Sequence, residues 1–187
     1  MSELLEMEME IANESMENAM ERLAAELTKI RTGKATPSML SSIKVEYYGS
    51  PTLLNQVSNV TASDGKTLSI QPFEKSMIAV IEQAIFAANL GLTPQNNGES
   101  IMINIPALTE ERRRALAKQA RAFGEEAKIS VRNARQKIIN TIKKEVKDGY
   151  SEDAGKTQEA NVQNMVNNYS ERINKLVEVK EKDIMTV

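Results

Sequence analysis

Cysteine, histidine and tryptophan are absent from the 187 residues. Without cysteine there is no disulfide framework, no thiolate nucleophile and no cysteine-bound zinc. A reducing compartment is permitted. Without histidine the chain lacks the side chain best suited to proton transfer near neutral pH, and the commonest metal ligand with it. Hydrolytic triads and His-ligated metals are therefore excluded, and catalysis by carboxylates or lysine survives only as a formal possibility. Aromatic residues make up 4% of the chain, too few for a surface of stacked bases. Long apolar runs are missing as well: nowhere do roughly 18 apolar residues follow one another, so no helix spans a membrane. The acidic start, MSELLEMEMEIANESMENAM, lacks the basic opening and apolar run of a signal peptide, and a cytoplasmic location follows.

What is present is charge, unevenly placed. The formal net charge is only −2, yet residues 1–30 carry 8 acidic and 2 basic side chains, whereas residues 108–150 carry 12 basic and 6 acidic ones. A basic segment between acidic flanks points to an anionic partner.

Periodicity separates helical ends from a strand-bearing middle. Met9, Ala12, Met16, Ala19, Leu23, Leu27 and Ile30 recur at spacings of three and four, one face of a helix. Their methionines sit at core spacing. Gly33 is expected to stop this helix and Pro37 to block its continuation. A second helix of about 40 residues opens after Thr109, a candidate N-cap, with Glu110 and Glu111 favoured by the helix dipole. Leu116, Ala120, Phe123, Ala127, Val131, Ala134, Ile138 and Ile142 hold its apolar face until Gly149. Ser151 caps a third helix with the stripe Val162, Met165, Val166, Tyr169, Ile173 and Leu176. None of the three can stay dry alone, so together they make an elongated three-helix bundle, the last two antiparallel across a short connection.

In the middle, Ile43, Val45 and Tyr47 alternate with polar neighbours up to Gly49, as half-buried strands do. Leu68 and Ile70 alternate after a turn at Asp64-Gly65, and Ile101, Ile103 and Ile105 after one at Asn97-Gly98. Between the latter two lies a helix in SMIAVIEQAIFAANLG, expected to be capped by Ser76 and stopped by Gly91. The fold class is α+β: a bundle of residues 1–33 and 107–187 with a small, β-rich α/β domain of residues 34–106 inserted into it. Two chain crossings, containing Gly33, Pro37 and Pro106, form a two-stranded hinge and suggest a bent, two-domain molecule.

The basic helix carries the chemistry. Arg114, Lys118, Arg121, Lys128, Arg132 and Arg135 follow at spacings of 4, 3, 7, 4 and 3 and line one stripe. Such a row suits a nucleic-acid backbone, and arginine can grip phosphate with two parallel hydrogen bonds. The plainer alternative is a solvated face paired with the acidic helices. Phe123 belongs to the apolar stripe, so shape and phosphate recognition of folded RNA are expected rather than base stacking. Gly33-Lys34-Ala35-Thr36 is too incomplete for a phosphate-binding loop, because no glycine stands five residues before Gly33. No cofactor or metal is implied.

Four segments, KIRTGKATP (Lys29–Pro37), VEYYG (Val45–Gly49), LTEERR (Leu108–Arg113) and VRNAR (Val131–Arg135), occur in an order and a chain length that together resemble the bacterial ribosome recycling factor family. The resemblance covers essentially the whole chain. It implies an L-shaped molecule with the outline of a transfer RNA. It also implies a non-enzymatic, monomeric factor that binds the ribosome after termination. With elongation factor G and GTP, such a factor splits the subunits so that messenger and transfer RNA leave. The ribosomal RNA contacts it implies fall on Arg113, Arg132 and Arg135, with Arg31 and Lys34 in the hinge motif as further candidates beside Lys128 and Arg121 of the stripe. Gln136 replaces a basic residue common among relatives, and Asn104-Ile105-Pro106-Ala107 is poorer in proline than usual. A helical protein-binding adaptor or chaperone is the rival reading; it predicts no affinity for RNA.

Overall fold

The structure is a computed structural model and describes residues 3–186. The chain divides into two compact units, Met1–Thr32 with Glu110–Val187, and Gly33–Thr109. The first is a three-helix bundle of α1 (Glu3–Thr28), α4 (Glu110–Lys147) and α5 (Glu152–Met185). The second carries six short strands and the helices α2 (Leu54–Val57) and α3 (Ile78–Ala87).

In the bundle, α4 runs for 38 residues, about 57 Å at 1.5 Å per residue. Its apolar stripe is buried throughout except at Phe123, which stays half-buried. Leu5, Ala12, Met16, Leu23 and Leu27 of α1 and Val162, Val166, Tyr169 and Ile173 of α5 complete the core. The α4–α5 turn closes as the sequence demands. Gly149 takes φ +110°, and its N–H and that of Tyr150 donate to the Val146 and Glu145 carbonyls at 3.2 and 2.9 Å, the glycine-terminated helix end. Ser151 Oγ then accepts the Ala154 N–H at 3.4 Å and caps α5. Two interior glycines let the helices approach closely: a Cβ added at Gly124 would lie 2.6 Å from Val177, and one at Gly155 would lie 2.6 Å from Val146.

Charge also registers the bundle. Arg172 donates from both terminal nitrogens to the two Glu17 oxygens at 3.0 Å. Tyr169 Oη donates to Glu17 at 2.9 Å or Asn13 Oδ1 at 2.8 Å, and the guanidinium lies 5.0 Å from the Tyr169 ring centre. Arg172 thereby holds the Glu17 carboxyl below its usual range, while burial raises the Tyr169 hydroxyl. These contacts set α1 parallel to α5; the α4–α5 pairs described below set those two antiparallel.

The first helix ends earlier than its sequence suggests. Thr28, not Gly33, is its last residue. Thr28 Oγ1 bonds back to the Ala24 carbonyl at 2.8 Å. The Lys29 and Ile30 N–H groups then donate three residues back, to Glu26 and Leu27, tightening the last turn. Ile30 remains buried outside the helix.

In the second unit, β3 (Ser58–Ala62), β4 (Thr67–Pro72), β6 (Ile101–Asn104) and β5 (Pro94–Asn96) form an antiparallel sheet in the order β3-β4-β6-β5. Leu68 faces Ile103 and Ile70 faces Ile101, and all four are fully buried with Ile81 and Ile85 of α3. A separate hairpin joins β1 (Lys44–Tyr47) to β2 (Ser50–Leu53), with Tyr48 at φ +48° and Gly49 at φ +77° in its turn. Both hydroxyls of Tyr47 and Tyr48 donate to Glu74, at 3.0 and 3.2 Å, and Tyr48 is 82% exposed.

Alternation locates β1, β4 and β6 but not β2, β3 or β5, whose burial does not alternate cleanly. Ser76 does not cap the helix. It sits inside a 3₁₀ turn, Lys75–Met77, and α3 begins at Ile78 without a side-chain cap. Nor does Gly91 stop it: α3 ends at Ala87 and Asn89 takes the left-handed turn at φ +52°, which asparagine tolerates.

The two crossings are tied to one turn of the small unit. Ala35 N–H donates to the Gly65 carbonyl at 3.0 Å and Ile105 N–H to the Lys66 carbonyl at 2.7 Å. Asp64 Oδ1 braces that turn by accepting the Lys66 N–H at 2.7 Å, which lowers the Asp64 carboxyl below its ordinary range. Gly33 takes φ +76°, and a Cβ there would meet Leu108 at 3.3 Å. Pro37 opens a 3₁₀ turn, Pro37–Leu40, and Pro106 is exposed beyond β6.

Candidate nucleic-acid interface

The basic residues of α4 share a helix but not an electrostatic state. Arg114 pairs with Glu110 one turn earlier, and Arg121 pairs through Nε with Glu181 of α5. Lys128, half-buried, lies 3.4 Å from Glu125. Each of these cations has a carboxylate at hand, so its field is partly cancelled.

Arg132 and Arg135 differ. Arg132 is exposed and makes no ion pair among the described residues. Arg135 is half-buried, and its Nε donates to Gln163 Oε1 of α5 at 3.1 Å. Gln163 is itself held by its own amide donating to Asn167 Oδ1 at 2.9 Å. A neutral amide orients the guanidinium without neutralising it, leaving the terminal nitrogens for two oxygens of a phosphate. The two arginines are therefore a pair of positive charges at i and i+3 on one face, of which Arg135 is held in place by Gln163. Gln136, beside them, donates to Asn140 Oδ1 at 2.9 Å.

Arg113 lies nineteen residues before Arg132, about 28 Å along the helix axis. It is half-buried, and its Nε is buried without a hydrogen-bond partner. A buried donor left unpaired costs about 1–3 kcal/mol, and Arg113 makes no ion pair among the described residues. Arg31 is exposed just beyond α1 and lines a notch with Lys29 and Arg112. Lys34 is exposed in the other unit. The structure thus brings Arg132 and Arg135 together, sets Arg121 and Lys128 among carboxylates, and keeps Arg113 separate on the same helix. Spacing alone could not sort them. The sorting is done by Gln163, Glu181 and Glu125, of which only Glu125 sits within a turn of its partner.

No group of three or more acidic, histidine or cysteine side chains placed to hold a metal occurs among the described residues. Among them no helix is long and apolar enough to cross a membrane.

These features define an α+β protein in which a three-helix bundle carries an un-neutralised arginine pair and an inserted antiparallel-sheet unit does not. The family model described as "Ribosome recycling factor" matches residues 23–185. A ribosome-recycling factor from Christiangramia forsetii is 55% identical over 96% of both chains. A solution structure of the ribosome recycling factor is similar over the full length of both chains, with 36% identity and a TM-score of 0.79. A second, with 38% identity, a TM-score of 0.63 and 97% and 99% coverage, comes from models for the T. thermophilus ribosome recycling factor and the E. coli elongation factor G bound to the E. coli post-termination complex. The chain belongs to the ribosome recycling factor family.

Proposed function

We propose that this protein binds the ribosome after termination. With elongation factor G and GTP, it splits the subunits and so frees messenger and transfer RNA. Family membership supports the role. The observation that carries the binding half is the Arg132–Arg135 pair, left without a carboxylate among the described residues, with Arg135 oriented by Gln163. Its action is binding rather than catalysis: the GTP is hydrolysed by the partner, and a chain without histidine or cysteine supplies charge and shape. It works as a monomer in the cytoplasm, on ribosomal RNA chiefly of the large subunit.

In this reading Arg132 and Arg135 grip phosphates, Arg113 adds a third contact, and Arg31 and Lys34 reach RNA from the crossing segment. Arg121 and Lys128 contribute less, because Glu181 and Glu125 already screen them. Gly33, Pro37 and Pro106 mark the crossings on which the small unit swings when the GTPase pushes. The support is that both crossings hang from the single Gly65-Lys66 turn, so they move with it together.

Co-sedimentation with ribosomes across a salt series tests the anchor. The parent protein binds with an affinity that falls as salt rises, and Arg132→Ala with Arg135→Ala reduces the slope of log K against log salt by about two. Binding indifferent to salt and to the double variant overturns the anchor and favours the adaptor reading.

A further inference from the structure

The arginine pair is not the only place where the bundle gathers cations. Between the end of α1 and the start of α4 lies a notch of about 330 Å³, within the ~300–1,000 Å³ of small-molecule sites. Three exposed cations stand around it: Lys29 and Arg31 from the segment after α1, and Arg112 from the first turn of α4. The exposed amide of Gln119 joins them. Its floor is apolar, built from buried Ile30 and Leu116 and from the half-buried Phe123 ring. One carboxylate also lines the notch, Glu26, 3.0 Å from Lys29, which partly cancels that lysine's field.

Phe123 is the feature that apolar periodicity alone misplaces. The stripe assigns it to the core, yet it is the one stripe residue of α4 left half-buried. It also lines a smaller neighbouring hollow beside Ala19 and Leu23, so bundle packing leaves room around the ring. Phe123 precedes Arg132 by nine residues, two and a half turns at ~3.6 residues per turn, which puts it on the opposite side of α4. The notch is thus a second face, separate from the arginine pair.

We infer that this notch seats one extruded nucleotide of RNA, its base stacked on Phe123 and its phosphate held by Lys29, Arg31 and Arg112. The inference rests on the reading of the protein as an RNA-bound factor and adds a second, aromatic mode of contact to it. An apolar ring and guanidinium groups lining one notch suit a base and its phosphate, since stacking holds an unpaired base whatever its identity. Gln119 offers both a donor and an acceptor to a base edge. An acidic peptide would use the cations but leave the ring idle.

Titration of the full-length protein followed by NMR decides the matter. The chain has only three phenylalanines, so Phe123→Leu identifies the Phe123 ring signals by their loss. Tetra-adenylate RNA is expected to shift those signals upfield, whereas inorganic phosphate and tetraglutamate leave them in place. Phe123→Leu, which keeps an apolar side chain at the site, weakens tetra-adenylate binding about fivefold or more. It weakens ribosome binding at every salt concentration without changing the salt slope, because it removes no charge. Arg112→Gln lowers that slope by about one. The Arg132→Ala, Arg135→Ala double variant separates the two readings. Loss of its ribosome binding with the Phe123 shift retained upholds the notch as an independent site. Disappearance of the shift in that variant, an equal shift with tetraglutamate, or unchanged affinities in a folded Phe123→Leu protein would each overturn it.

Discussion

The bundle and the inserted unit are built on different principles. Each bundle helix is a local object: the apolar stripe that buries it lies within one stretch of chain. The inserted unit is held by pairings between distant residues, Leu68 with Ile103 and Ile70 with Ile101, under a helix of ten residues. The bundle is richly charged and the middle segment is not: residues 31–107 hold 5 basic and 5 acidic side chains. The contrast teaches where recognition and where geometry reside. Charge sits on the longest helix, which spaces it along one axis, and the sheet unit is tied to the crossings through backbone hydrogen bonds at Gly65 and Lys66.

The sharpest way to break this comparison is to truncate one core at a time. Ile138→Ala in α4 and Ile103→Ala in β6, both essentially fully buried, should each cost about 2–5 kcal/mol. The helical circular-dichroism signal should melt earlier only for Ile138→Ala. A common shift of that signal in both variants would mean that the two units unfold as one.

Next in size is overpacking. Gly155→Val places side-chain atoms where Val146 already sits, and about 1–3 kcal/mol of destabilisation is expected, read as an earlier bundle transition. Gly33→Val meets both a positive φ and Leu108. It should cost about 1–2 kcal/mol and fall on the inserted unit instead, as seen by hydrogen exchange at the Ala35 and Ile105 amides.

The smallest effect belongs to the α1–α5 clamp. Arg172 lowers the folded carboxyl of Glu17, so the stabilisation is present above the unfolded value of 4.5 and is lost as pH falls through the lower folded one. Glu17→Gln should therefore reduce the melting temperature slightly at pH 7, and the gap to the parent protein should narrow as pH falls below 4.5. A gap that does not change with pH would assign the clamp to packing.

Much of the bundle was legible because its determinants are local. The α4 stripe, the Gly149 stop and the Ser151 cap can each be read within a few residues, and each appears in the structure. The inserted unit resisted for the opposite reason. β2 begins Ser50-Pro51 and resembles a turn, its pairing decided by Lys44–Tyr47. Ser76 has the composition of a cap but lies inside a 3₁₀ turn. The site was half legible. Spacing found the row of cations, but Glu181 and Gln163, which decide which of them keeps its field, lie 60 and 28 residues away from Arg121 and Arg135. Phe123 belongs to the same lesson: periodicity gave its side of the helix, and only packing shows that the ring is left half-covered.

The most direct test of the central claim is subunit splitting followed by light scattering, with post-termination ribosomes, elongation factor G and GTP. The parent protein should lower the scattering as 70S particles separate. The Arg132→Ala, Arg135→Ala variant should need about 100-fold more protein to do so, at ~1.5 kcal/mol or more for each charged hydrogen bond lost. Splitting by the double variant at the parent's concentration would contradict the account, because the anchor would then lie off the Arg132–Arg135 face.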